Sequence, residues 1–234
     1  SVTNVDGHYQ ILWNKKLNVS ENVIGYRLYK ETSYANDYAI VADFDLTDTV
    51  YIDLSSNPNV QSSRYALSYL TTYGESVKCT SHQGLHVMIN KGVGNTWNLA
   101  WMKYEGREVS QYRIWRGSTP DNMSVIGTIS GNMTSFSDVM TADSVNYYAV
   151  EVIFVEKLQA QVKSRRYTQR SSSNTSFSNI VSTASAYDVS FVESIDVRGK
   201  DIVADENITS QLTAYIYPYY ASYKIVNWVI VEGD

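Results

Sequence analysis

The sequence repeats itself, and the repeat limits the fold more than any single motif. Leu12-Trp13 returns as Ala100-Trp101, and Gly25-Tyr26-Arg27-Leu28-Tyr29-Lys30 returns as Gln111-Tyr112-Arg113-Ile114-Trp115-Arg116. Ile52-Asp53 returns as Ser137-Asp138, and Arg64-Tyr65-Ala66-Leu67 as Tyr147-Tyr148-Ala149-Val150. The blocks keep their order while their separation drifts from 88 to 83 residues, as small loop deletions would produce. A repeated unit of this length sets the organisation before any local reading. Two homologous modules are expected at 1–85 and 86–185, with a different segment at 186–234.

Within each module, polar and apolar positions alternate with period two. Tyr26 and Leu28 face one way and Arg27 and Tyr29 the other; Tyr112 and Ile114 oppose Arg113 and Trp115. Such strands put one face in a core and leave the other wet. Between them lie turn-forming clusters, among them Ser55-Ser56-Asn57-Pro58-Asn59, Gly117-Ser118-Thr119-Pro120-Asp121-Asn122 and Ser130-Gly131-Asn132. Aromatic residues make up 13% of the chain, 20 of them Tyr, and suit a half-buried pleated surface. No segment sustains a helical period. Short strands at close spacing without helices between them predict an all-β protein of tandem antiparallel β-sandwiches.

At these residues the chain resembles fibronectin type III domains, over about 1–185. The second strand of each module carries the Trp core position (Trp13, Trp101), the third carries Tyr-Arg-apolar-aromatic-basic, and a Tyr opens the sixth (Tyr65, Tyr148). Tyr73-Gly74-Glu75-Ser76 looks like the family's turn before the last strand, and the second module resembles repeats appended to large secreted or surface proteins of Gram-negative bacteria. After Val155 it departs from the pattern with a long connection, 156–177. Further on, Ile195-Asp196-Val197, Ser210 to Pro218, Ala221 and Val226-Asn227-Trp228 resemble the first half of an immunoglobulin-like domain of bacterial group 2. On that resemblance 186–234 is a partial module, and its open strand edges invite association with another chain.

The chemistry that the sequence could carry is narrow. A net charge of −5 argues against a nucleic-acid binder, and no stretch approaches the roughly 20 apolar residues of a membrane-spanning helix. Cys79 is the single cysteine and His8, His82 and His86 are the only histidines, so neither an internal disulfide nor a zinc-type cluster can be assembled. No nucleophile elbow, zinc-protease helix or phosphate loop occurs, and neither an enzyme nor a cofactor is expected. Asp43, Asp45 and Asp48 have a spacing that could hold calcium, but alternation puts Asp43 and Asp45 on one solvent face, which reads as a charged edge. Tyr217, Tyr219, Tyr220 and Tyr223 could stack on sugar rings, although alternate members suit core packing. Asn-x-Ser/Thr sequons begin at Asn18, Asn122, Asn132, Asn174 and Asn207, and Asp48-Thr49-Val50 and Asp143-Ser144-Val145 resemble a bacterial O-glycosylation acceptor; turns explain them equally.

The segment most suited to recognition is the long connection of the second module. Lys163, Arg165, Arg166, Tyr167 and Arg170 form its basic, aromatic-bearing centre, and Arg offers bidentate hydrogen bonds to carboxylates or sulfates. The expected role is a non-catalytic spacer in an extracellular or cell-surface bacterial protein, with an adhesion role toward a protein or glycan partner. The alternative is a carbohydrate-binding accessory of a polysaccharide-degrading enzyme. Separate cores joined by a short connection around 84–91 predict a semi-rigid rod.

Overall fold

The computed structural model describes residues 1–14, 22–140, 144–156, 174–185, 192, 194–199 and 212–217. Among these residues there is no helix, and therefore none long and apolar enough to cross a membrane. The architecture is two antiparallel β-sandwiches followed by a hairpin.

In the first sandwich, β1 (Val2–Val5), β2 (His8–Leu12) and β5 (Val50–Asp53) form a three-stranded sheet in the order β1-β2-β5. The facing sheet runs β4-β3-β6-β7, built from β3 (Val23–Glu31), β4 (Tyr38–Phe44), β6 (Arg64–Thr71) and β7 (Gly74–Glu75), with β8 (His82–Gln83) also on β6. The β1–β2 hairpin closes on Asp6-Gly7, both at positive φ (50° and 78°), with Val5 opposite His8. Two left-handed residues match the twist of the flanking strands, and Asp-Gly tolerates them at low cost.

The second sandwich repeats this topology. One sheet runs β13-β10-β9, from β9 (Val87–Lys91), β10 (Thr96–Trp101) and β13 (Ser135–Val139). The other runs β12-β11-β14-β15, from β11 (Val109–Thr119), β12 (Asn122–Ser130), β14 (Tyr147–Phe154) and β15 (Thr175–Phe177), with β16 (Val181–Ser182) on β14. Beyond it, β17 (Ser194–Arg198) pairs with β18 (Thr213–Tyr217).

Each sandwich has its own core. Val2, Tyr9, Ile11, Trp13, Tyr26, Leu28 and Tyr65 form one cluster; Leu99, Trp101, Tyr112, Ile114, Tyr148, Val150 and Val152 belong to the other. The repeated anchors occupy matching places. Trp13 meets Tyr26 edge-on at 6.0 Å between ring centres, and Trp101 meets Tyr112 edge-on at 5.3 Å, arrangements that favour the ring quadrupoles.

The alternation rule fails at Tyr29. Expected on the wet face, it is only 6% exposed. A register irregularity falls between Leu28 and Tyr29. The Tyr29 hydroxyl donates to Glu75, and the Lys78 ammonium sits 4.3 Å from the ring centre. Glu75 also accepts from Arg27 at 3.0 Å and from Ser68 at 2.6 Å. A polar roof on β7 and the following residues thus buries an aromatic that period two alone assigns to solvent.

Candidate functional site at the meeting of the two sandwiches

The repeat blocks that align in sequence also converge in space. In the first sandwich, Asp53 at the end of β5 accepts from the Lys30 ammonium at 2.8 Å and from the Tyr65 hydroxyl at 2.7 Å. In the second, Asp138 on β13 accepts from Arg116 at 2.7 Å and from the Tyr148 hydroxyl at 2.7 Å. Each carboxylate therefore ties one sheet to two strands of the other. Burial alone would raise the Asp53 pKa, but hydrogen bonds from Lys30, Ser55 and Tyr65 outweigh it and hold the carboxyl at about 2. Burial and the Asp53 charge push the Tyr65 phenol upward, and burial with Asp138 does the same to Tyr148. Such a knot of hydrogen bonds suits a clamp between sheets.

The outer face of the second sandwich has a related network. Glu151 is 5% exposed, accepts from the Trp115 indole at 3.0 Å, and has Arg113 at 3.7 Å. Phe177 packs on Trp115 with ring centres 6.0 Å apart.

The two sandwiches meet side on along β1 and β15. The Val2 N–H donates to the Tyr104 hydroxyl (2.7 Å), the Ser176 hydroxyl to the Val2 carbonyl (2.6 Å), the Phe177 N–H to the Thr3 hydroxyl (2.9 Å) and the Asn4 amide to the Ser178 carbonyl (3.0 Å). The partners rise together along both strands, so β1 and β15 run parallel. Farther along the contact, Arg64 is bidentate to Glu105 at 2.7 Å on both arms and also reaches Glu31 at 3.0 Å. One His86 ring nitrogen lies 2.8 Å from the Pro58 carbonyl. A Cβ on Gly84 would fall 2.2 Å from the Tyr9 ring, so only glycine lets the chain pass. Thr3, Ser176, Ser178 and Asn179 are each at most 2% exposed; buried polar groups of this kind are tolerated because they are hydrogen-bonded. Beside the short connection, the second sandwich therefore contacts the β1 edge of the first.

His82 lies within this contact, beside Tyr104 and under Gly106, with its pKa lowered to about 3 by burial first and by nearby positive charge, that of Arg107 included. The ring is therefore neutral, in keeping with the structural role expected of it.

The other candidates fall differently. Lys163, Arg165, Arg166, Tyr167 and Arg170 lie outside the described residues; the ends of their connection are pinned by the Phe154 N–H donating to the Asn174 carbonyl at 3.0 Å. Asp43 is bidentate to Arg27 at 2.6 and 2.7 Å. Asp45 lies past the end of β4, where its N–H donates to Asp48 at 3.0 Å. All three aspartates are exposed, as the reading of a charged edge has it, with Asp43 held in an ion pair and Asp45 in a turn. Tyr217 is an exposed residue of β18, while Tyr219, Tyr220 and Tyr223 lie outside the described residues. The joint itself had no signal in the sequence: Ser176 falls in the long connection 156–177, and Ser178 and Asn179 follow it in a polar stretch.

No protein-family model and no curated protein matches the chain. Among solved structures it is similar to the pectate lyase PelI of Erwinia chrysanthemi, solved with tetragalacturonic acid: 21% identity over 44% of this chain and 29% of that one, TM-score 0.34. It is also similar to the FN1–FN3 domains of chicken CNTN1 (12% identity, 78% of this chain and 64% of that one, TM-score 0.32). A two-domain fibronectin type III segment of chicken tenascin aligns at 14% identity over 78% of this chain and 94% of that one, TM-score 0.30. The chain spans under a third of the pectate lyases it matches.

Proposed function

We propose that this chain is a non-catalytic structural element, a rigid double sandwich that holds the parts of a larger protein at a fixed angle. The carrying observation is the docked joint, where four hydrogen bonds from β1, to Tyr104 and to residues 176–178, and the Arg64–Glu105 fork span the two cores. A connection alone leaves domains free to reorient; here the buried hydrogen bonds across the joint and the close passage of Gly84 against Tyr9 favour one orientation. The buried carboxylates Asp53, Asp138 and Glu151 support the reading, since each is committed to partners within its own sandwich. The resemblance in the repeat blocks supports reading such an element as part of an extracellular or cell-surface protein, with a protein or glycan as the partner of the assembly it supports.

Residual dipolar couplings on the whole chain test this. One alignment tensor should fit the amides of both sandwiches, and Gly84→Ala should split it in two. Separate tensors in the unsubstituted protein would remove the rigid element.

A further inference from the structure

The last strand of the first sandwich is irregular between Glu75 and His82, where Ser76 and Cys79 still bond to β6 at 2.9 and 2.7 Å. A cavity of about 340 Å³ enters between its sheets, with Trp13, Leu28, Leu67, Cys79 and His82 in its wall and Arg107 contributed by the second sandwich. Its surface is mostly apolar. Trp13 is 6% exposed, and its indole N–H has no partner among the described residues; neither has the Nδ1 of His82. A buried polar group without a partner is costly, so two around one cavity need an explanation. The space is ample: a dry cavity of about 150 Å³ takes benzene, so this one takes roughly ten heavy atoms.

We propose that this cavity binds a small amphipathic carboxylate, its apolar chain between the sheets and its charged end at the Trp13 N–H and the Arg107 guanidinium. The charge assignment comes from the wall. Trp13 can only donate. Arg107 stacks on Phe154 at 4.0 Å and donates to the Glu156 carbonyl, which orients a permanent positive charge at the cavity. His82, neutral, completes the polar end as donor or acceptor. The site belongs to the joint, because neither sandwich alone supplies both the apolar slot and the guanidinium.

The test uses the full chain with octanoate as probe and 1-octanol as its uncharged counterpart. Octanoate should shift the Trp13 indole N–H resonance, identified by its loss in Trp13→Phe. It should also slow alkylation of Cys79, the single thiol of the chain, by at least threefold. Arg107→Gln should weaken octanoate at least fivefold with the fold intact, and Trp13→Phe should weaken it further. An unmoved indole resonance together with an unchanged alkylation rate at millimolar octanoate overturns the site and leaves a water-filled cavity. Equal binding of octanoate and 1-octanol overturns the carboxylate assignment.

Discussion

The two sandwiches share a topology and a set of anchors, yet they are finished differently. The second closes its core with Phe154 against Tyr104, ring centres 4.8 Å apart. Phe154 pairs with Val109, and the corresponding pair in the first sandwich is Val23 with Thr71, so a threonine stands where the second has an aromatic ring. The last strand of the first sandwich breaks across six residues, while that of the second breaks across the three between β15 and β16, where Ser178 and Asn179 are buried. The duplicated anchors hold the layers together in both, and divergence is concentrated where the copies meet. The first sandwich stays open on its β1 edge, and the second is completed around that edge.

The sharpest way to break this comparison is to truncate matched core residues. Leu28 and Ile114 are both fully buried, and removing either side chain to alanine should cost about 2–5 kcal/mol. Leu28 borders the existing cavity, so it has fewer neighbours to lose. Ile114→Ala should fall at the upper end of that range and Leu28→Ala at the lower, in chemical denaturation followed by fluorescence. Equal losses would mean that the two cores are equally closed, and the reverse order that the first is the better closed.

The paired carboxylates come next. Removing one partner of a buried ion pair strands the other, a loss of about 3–5 kcal/mol when burial is complete. Asp53→Ala should approach about 3 kcal/mol and Asp138→Ala about 2, because the Asp53 side chain is 4% exposed and also takes the Ser55 N–H and hydroxyl, whereas the Asp138 side chain is 12% exposed. Equal losses would show that Ser55 adds nothing.

These pairs also mark the border of what was legible. Lys30 with Arg116, Asp53 with Asp138 and Tyr65 with Tyr148 stood at matching places in the repeat, so the anchors and the sandwich class could be read from the order of residues alone. Period two reports which way a side chain points and nothing about what lies above it, so Tyr29 escaped. The joint escaped for a different reason. The Ser176 hydroxyl and the Ser178 carbonyl bond a strand about 174 residues away, and the Asn179 amide bonds Val87 twice; a polar residue that is buried has no sequence pattern separating it from one that is solvated. The contact between the sandwiches depends on those bonds, which the order of residues does not announce.

Acid should separate the copies through Asp53. Its folded pKa of about 2 lies below the ordinary 3.8, so the unfolded state binds more protons between those values. The stabilisation is present in full above about pH 4 and is lost as pH falls through about 2, a total of roughly 2.5 kcal/mol. Denaturation of the wild type and of Asp53→Asn at pH 5 and pH 2 should show the difference between them shrinking by about that amount. A difference independent of pH would show that the carboxylate is not what Lys30 and Tyr65 hold.

The smallest effect belongs to the joint, and it separates orientation from stability. Arg64 is partly exposed, with 29% of its side chain accessible, and Glu105 is 36% accessible, so their pairing is worth about 1 kcal/mol at most. Arg64→Ala should therefore leave the unfolding midpoint nearly unchanged. The same substitution removes the only bridge in which one side chain grips carboxylates of both sandwiches among the described residues, Glu31 and Glu105. Its effect should appear as a wider spread of inter-sandwich distances between spin labels on β4 and β12. Because half-exposed pairs are screened by salt, 1 M salt should widen the wild-type distribution in the same direction. If neither the substitution nor salt broadens it, the β1–β15 hydrogen bonds alone set the angle and the fork is incidental to it.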